Sequence, residues 1–144
     1  MTDFLQWEII KNHHAYLVKR PNVRPLSKEL FNVRNIHGMK ANGLIHRRAI
    51  SIQPANDNKG VIVTKKNPKR LRQPASQNYS VVMKAGPRRL LWKLARMFKY
   101  QNYRRDLKKA TLRRASAILK SQRTKIAKKR TVKRGMSSKK KLKM

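Results

Sequence analysis

Paired cations are the residues of this chain whose type and spacing carry chemistry. Arg47-Arg48, Lys65-Lys66, Lys69-Arg70 and Arg88-Arg89 recur along it, with Arg72 close to the third pair and Arg104 and Arg123 beyond the last. Each offers charge-assisted donors to an oxyanion such as phosphate. Arginine grips two oxygens with a planar fork, whereas lysine acts as a mobile point charge. Contacts of this kind hold a nucleic-acid backbone without reading its sequence. Around Trp92 the pattern gains an aromatic member. At helical spacing Arg88, Arg96 and Lys99 surround it, opposite a stripe of Leu90, Leu91, Leu94, Met97 and Phe98. Trp92 then either stacks on an unpaired base or packs on another part of the protein. Further on, Lys109, Arg113 and Lys120 cluster away from an apolar side, with Arg114 at its edge. An ordinary solvated helix mixes both signs of charge, and here acids hardly occur.

Other chemistries find little to work with. The five carboxylates are Asp3, Glu8, Glu29, Asp57 and Asp106, and no two are close in sequence. Asp57 suits a turn and Asp106 a helix start. A catalytic site needs a pocket with tuned acids and bases, and the chain has no Gly-rich phosphate loop and no nucleophile elbow. It reads as a non-enzyme. His13, His14, His37 and His46 do not have metal-ligand spacing and read as polar surface or RNA-facing residues. There is no cysteine, which excludes disulfides and thiolate metal sites.

The charge decides the partner. Lysine and arginine number 39 against 5 acids, a net charge of +34 over 144 residues. Like charges at that density destabilise a compact surface by self-repulsion, and a polyanion is the natural remedy. The excess is nearly uniform: +12 over residues 1–85, +11 over 86–122 and +11 over 123–144. The folded part is therefore basic in its own right, unlike a neutral domain with a basic signal added. Acidic residues near Met1 and the lack of a long apolar run speak against a signal peptide and a transmembrane span. The expectation is a soluble intracellular protein with no membrane partner.

These side chains need a scaffold, and the sequence implies an α+β domain. Residues 4–10 are apolar all round and suggest a short buried helix. Ala15–Lys19 alternates like a strand, with Tyr16 and Val18 on one face. Pro21 and Pro25 then suggest an irregular extended connection over 20–43, ending at the turn Asn42-Gly43. Leu44 to Gln53, with Ile50 and Ile52 alternating, and Val61-Ile62-Val63-Thr64 flank a turn-rich stretch and predict a hairpin. A third strand of a small antiparallel sheet is expected over Tyr79–Lys84, after a basic loop at 65–77. Gly86-Pro87 opens an amphipathic helix. A second starts near Arg105-Asp106, with Leu107, Leu112, Ala115, Ile118 and Leu119 on its apolar side. The two helices form either a hairpin or a tandem packing on the sheet. The reading is thus one domain, mixed α/β over 1–85 and helical over 86–122. A basic extension over 123–144, including Lys128, Lys129 and Arg130, is too polar to fold alone and should order on binding. It also suits a nuclear import signal.

Several short motifs, in order, carry a family resemblance. Leu5-Gln6-Trp7, Asn42-Gly43-Leu44-Ile45-His46-Arg47, Tyr103-Arg104-Arg105-Asp106-Leu107, and Arg113 to Leu119 with Ser121-Gln122 resemble the eukaryote-specific family of large-subunit ribosomal proteins numbered twenty-eight. The similarity runs from about residue 4 to 122, with the 20–41 stretch departing from the pattern. It implies an α+β structural component of the cytosolic large subunit, bound to ribosomal RNA and beside neighbouring ribosomal proteins. It would pass through nucleus and nucleolus during assembly. It implies no cofactor, no small-molecule substrate and no homo-oligomer. A nucleolar assembly factor of a related, cysteine-bearing family and a chromatin-binding basic protein are the alternatives.

Overall fold

The β-branched runs form the hairpin that their alternation predicts. A computed structural model describes residues 2–123. In chain order it contains helix α1 (Asp3–Ile10), strands β1 (Leu17–Arg20), β2 (Val23–Ser27), β3 (Ile50–Pro54) and β4 (Val61–Lys66), the single-turn helix α2 (Pro74–Gln77), strand β5 (Asn78–Met83), and helices α3 (Pro87–Tyr100) and α4 (Lys108–Ser121). Strands β3, β4 and β5 make an antiparallel meander in that order, in register through Ile52↔Val63 and Val63↔Val81. The architecture is α+β, with two small antiparallel sheets where one was expected.

Period-2 alternation places Ile50, Ile52, Val61 and Val63 on one face of the meander, each essentially inaccessible. The leucine stripe of α3 meets that face through Leu90, Leu94 and Phe98, all fully buried. Helix α4 packs on both the sheet and α3, so the helix pair combines the two arrangements that the sequence leaves open. Its buried side is Thr111, Ala115 and Leu119, with Leu107 just ahead in a 3₁₀ turn (Arg105–Leu107). Leu112 and Ile118, expected on that side, are only half-buried at its margin. Pro87 sits in the first turn of α3, where its missing N–H costs nothing.

Two polar clasps close the core. Tyr103 places its hydroxyl between the carbonyl oxygens of Ala49 and Lys66, at 2.9 and 2.8 Å, just beyond paired ends of β3 and β4. Gln122 donates to the Gly60 carbonyl at 2.8 Å and accepts from the Gly60 amide at 3.0 Å. This ties the end of α4 to the turn between β3 and β4. Gly60 has φ 94, and a Cβ there would lie 2.2 Å from the Met83 carbonyl oxygen. Only glycine fits.

Two expectations fail here. The 20–43 stretch is not wholly irregular, because Val23–Ser27 pairs with β1 as the second sheet, through Leu17↔Ser27 and Val18↔Leu26. Proline lacks a ladder donor and is tolerated at the edge of a sheet; beyond β2 only the isolated bridge Leu26↔Ile36 follows, and there Pro25 serves as acceptor for the His37 amide. Asn22 turns the chain at φ 58. The other failure is α1. It is helical as predicted, but none of its residues is buried. Its hydrophobicity has no preferred side, so no face is committed to the core.

From Lys28 to Ala49 the only strand-like pairing among the described residues is the single bridge Leu26↔Ile36, and side chains supply most of the remaining ties. Asn32 donates to the Ile36 carbonyl and accepts from the Arg34 amide, while Asn42 accepts from the Leu44 and Ile45 amides. Gly43 is wedged here: a Cβ would lie 2.4 Å from that of Phe31.

Candidate nucleic-acid interface

The outer face of α3 is the most distinctive charged surface among the described residues. Burying the leucine stripe turns Arg88, Arg89, Trp92, Lys93, Arg96, Lys99 and Tyr100 outward, and all are exposed. Trp92 and Tyr100 retain 57% and 67% of their surface. The Arg96 guanidinium lies between them, 5.0 Å from each ring centroid. Residues four apart stack along one side of a helix, so Trp92, Arg96 and Tyr100 form a ladder of alternating ring and cation. Cation–π contact holds the guanidinium over each ring. Shallow grooves flank Trp92: one is lined by Gly86, Pro87, Arg88 and Arg89, the other by Ala95, Arg96, Lys99, Tyr100 and Lys108. Trp92 therefore does not pack on another part of the described structure.

Other cations divide into two populations. Arg47, Arg48, Lys69, Arg70, Arg72, Lys109, Arg113, Lys120 and Arg123 are exposed, as a phosphate contact requires. Lys65, Lys66, Arg104 and Arg114 are drawn into the fold. Arg114 donates from Nε to the Ile52 carbonyl at 3.1 Å and from one terminal nitrogen to Asn35 Oδ1 at 2.7 Å. The Val33 and Asn32 carbonyls also lie within 3.3 and 3.4 Å of that nitrogen. Burial pulls its pKa down. Arg104 grips Asp106 through two nitrogens and donates to the carbonyls of Lys40 and Arg48. It holds φ 44, a left-handed conformation that is costly for an arginine. Lys66 donates to the Gly43 carbonyl at 2.6 Å over the Phe31 ring, and Lys65 donates to Gln101 beside Tyr79 and Tyr103. Burial lowers the pKa of both lysines, with Glu29 opposing the shift at Lys66. These four are structural ties, contrary to the surface role that charge alone suggests. The expectation for Lys128, Lys129 and Arg130 lies outside the described residues.

The sparse acids are mostly neutralised locally. Asp57 pairs with Lys84, Asp106 with Arg104 and Glu8 with Lys11. Glu29 is the exception. It is buried, neither oxygen makes a well-formed hydrogen bond among the described residues, and burial raises its pKa against the weaker pull of the nearby Gly43 amide, Lys66 and His46.

Three of the four histidines make contacts within the protein. No group of three or more His, Cys, Asp or Glu among the described residues is placed to hold a metal ion. His37 donates from Nε2 to the Lys11 carbonyl at 2.7 Å and stacks its ring on Trp7 at 4.9 Å. His14 lies 3.3 Å from the other nitrogen of His37, and His46 sits between Asp3 and the Met39 carbonyl. Only His13 is fully exposed. Three histidines thus fasten α1 to the body.

Tyr100, Lys93 and Lys108 escaped the sequence reading. The first was legible from spacing, since 92, 96 and 100 repeat at four residues.

The molecule so described is a small α+β protein whose strongly basic surface carries an aromatic and guanidinium ladder. Comparison with known proteins gives it a lineage. Residues 5–121 match the model of the Ribosomal L28e protein family. The chain is 36% identical over 125 residues to the large ribosomal subunit protein eL28 of Schizosaccharomyces pombe, covering 84% of this chain and 92% of that one. It is 31% identical over 123 residues to the protein of the same name from Caenorhabditis elegans, covering 85% and 91%. The chain belongs to the L28e family.

The family motifs coincide with the clasps. Tyr103, Arg104 and Asp106 lie in one of them, and Arg114 and Gln122 in another.

Proposed function

We propose that this protein is a structural constituent of the cytosolic large ribosomal subunit and binds ribosomal RNA through the outer faces of α3 and α4. The observation that carries the reading is the ladder of Trp92, Arg96 and Tyr100, set among Arg88, Arg89, Lys93 and Lys99 with no acid on that helix. The names of its relatives and its family support the large subunit as the setting of that polyanion. Arg47, Arg48, Lys69, Arg70, Arg72, Lys109, Arg113, Lys120 and Arg123 neutralise phosphate, with Lys128, Lys129 and Arg130 extending the set. Lys65, Lys66, Arg104 and Arg114 support the fold instead. A-form RNA hides its base edges in a deep, narrow groove, so backbone contacts and stacking on unpaired bases dominate.

Affinity for large-subunit ribosomal RNA is expected to fall steeply with salt. The logarithmic slope is about 0.7–0.9 for each phosphate neutralised. Trp92→Ala costs about 1–3 kcal/mol of binding, the usual worth of one stacked base, and leaves thermal stability unchanged. Salt-independent binding, or full affinity in that variant, would overturn the reading. A lasting constituent stays in polysomes through a high-salt wash, whereas an assembly factor is absent from them.

A further inference from the structure

Helix α1 contrasts with the rest of the molecule in charge and in what it exposes. It holds two of the five acids, Asp3 and Glu8, and no lysine or arginine, in a chain of net charge +34. Its inward residues are Asp3, Gln6, Trp7 and Ile10, each partly covered. The outward ones are Phe4, Leu5, Glu8 and Ile9. At helical spacing these last four lie side by side. Phe4, Leu5 and Ile9 expose 62%, 50% and 67% of their surface. The helix is not a loose end: Trp7 stacks on His37, Lys11 accepts from His37, and Asp3 meets His46. An apolar face is thus presented in a fixed orientation.

We infer that the outward face of α1 is a docking surface for a neighbouring protein of the particle, one presenting apolar side chains bordered by lysine or arginine. This rests on the reading of the chain as a subunit constituent. Phosphate is the wrong occupant, because the aliphatic side chains and the carboxylates of this face, Glu8 beside Lys11 and Asp3 beside His46, offer it no donor. An anionic bilayer is disfavoured by the same carboxylates. A protein surface satisfies both features at once: its apolar centre covers Phe4, Leu5 and Ile9, and cations at its rim meet Glu8 and the exposed side of Asp3. Interfaces of this kind place apolar anchors at the centre and charge at the edge. The molecule then has two poles, with RNA on α3 and protein on α1.

The test uses the full chain carrying a photoreactive phenylalanine analogue at Leu5, Ile9 or Trp92, assembled into large subunits in cells and irradiated in purified particles. The expected result is that positions 5 and 9 crosslink to the same subunit protein. The crosslinked peptide, identified by mass spectrometry, should be apolar with a lysine or arginine beside it, while position 92 crosslinks to RNA. Leu5→Asp combined with Ile9→Asp should lower occupancy in particles by about tenfold in competition with the unsubstituted chain, as loss of a central anchor does. The free variant should keep its melting temperature and RNA affinity. Crosslinks from 5 and 9 to RNA, to residues 124–144 of the same chain, to a second copy, or to nothing would overturn the inference. So would undiminished occupancy. A chain missing from particles altogether would overturn the functional reading with it, and a position 92 that never meets RNA would overturn that reading alone.

Discussion

Helices α1 and α3 use similar residues to opposite ends. Both are rich in large aliphatic and aromatic side chains. In α3 the apolar side chains recur every three to four residues and the gaps are filled by five cations, so the helix has one face for the sheet and another for solvent. In α1 the apolar side chains run nearly consecutively, two carboxylates replace the cations, and both faces stay partly or fully accessible. Composition alone ranks α1 as the better core element. Spacing reverses the order, because a helix contributes to a core only through a face that it can commit.

The largest effect expected from this contrast is on stability. Leu94→Ala, beneath the sheet, should cost about 2–5 kcal/mol, while Leu5→Ala on α1 should stay within about 0.5 kcal/mol. Denaturant melts of the two variants check this, and equal losses would erase the distinction between the helices. Adjacent arginines of α4 carry the comparison to a finer scale. Arg114→Ala removes charged donors from several interior acceptors and should cost about 1.5–3 kcal/mol of stability. It should leave the salt slope of RNA binding unchanged. Arg113→Ala should do the reverse, reducing the slope with little change in melting temperature. If both altered the slope alike, the division between structural and phosphate-facing cations would be wrong.

The smallest effect concerns the acids. Burial raises the pKa of Glu29 above its ordinary 4.5, so the protonated carboxyl is the form the fold prefers. Its contribution is fully present below the unfolded value and is lost as pH rises through the folded one. Glu29→Gln should therefore raise the melting temperature at pH 7, and the gain should shrink as pH falls through the raised folded value towards the ordinary 4.5. Melting curves of this variant and the unsubstituted chain against pH check this.

Much of this plan was legible in the chain itself. Gly86-Pro87 marked the start of α3, the β-branched alternation marked β3 and β4, and the leucine stripe named the residues that fill the core. Strand β2 was hidden because Pro25 reads as a breaker, and only an edge position makes it harmless. The inward arginines were hidden for a different reason. A cation at a helix margin looks the same in sequence whether it meets water or a carbonyl from a distant segment, and the acceptors of Arg114 lie 62 to 82 residues away. Trp92 was located by its neighbours, but its exposure followed only from the packing of α4 on the far side of α3.

The two tryptophans of the chain stand on the two contrasted helices, Trp7 against His37 and Trp92 beside Arg96. The protein therefore carries its own optical reporters, one on each. Trp7→Phe leaves an exposed, water-bathed indole whose emission should shift and quench when a base stacks on it. Trp92→Phe leaves an indole that is silent to RNA and reads the seating of α1 instead. Two single-tryptophan chains can thus time the engagement of each helix separately during assembly, without any added label.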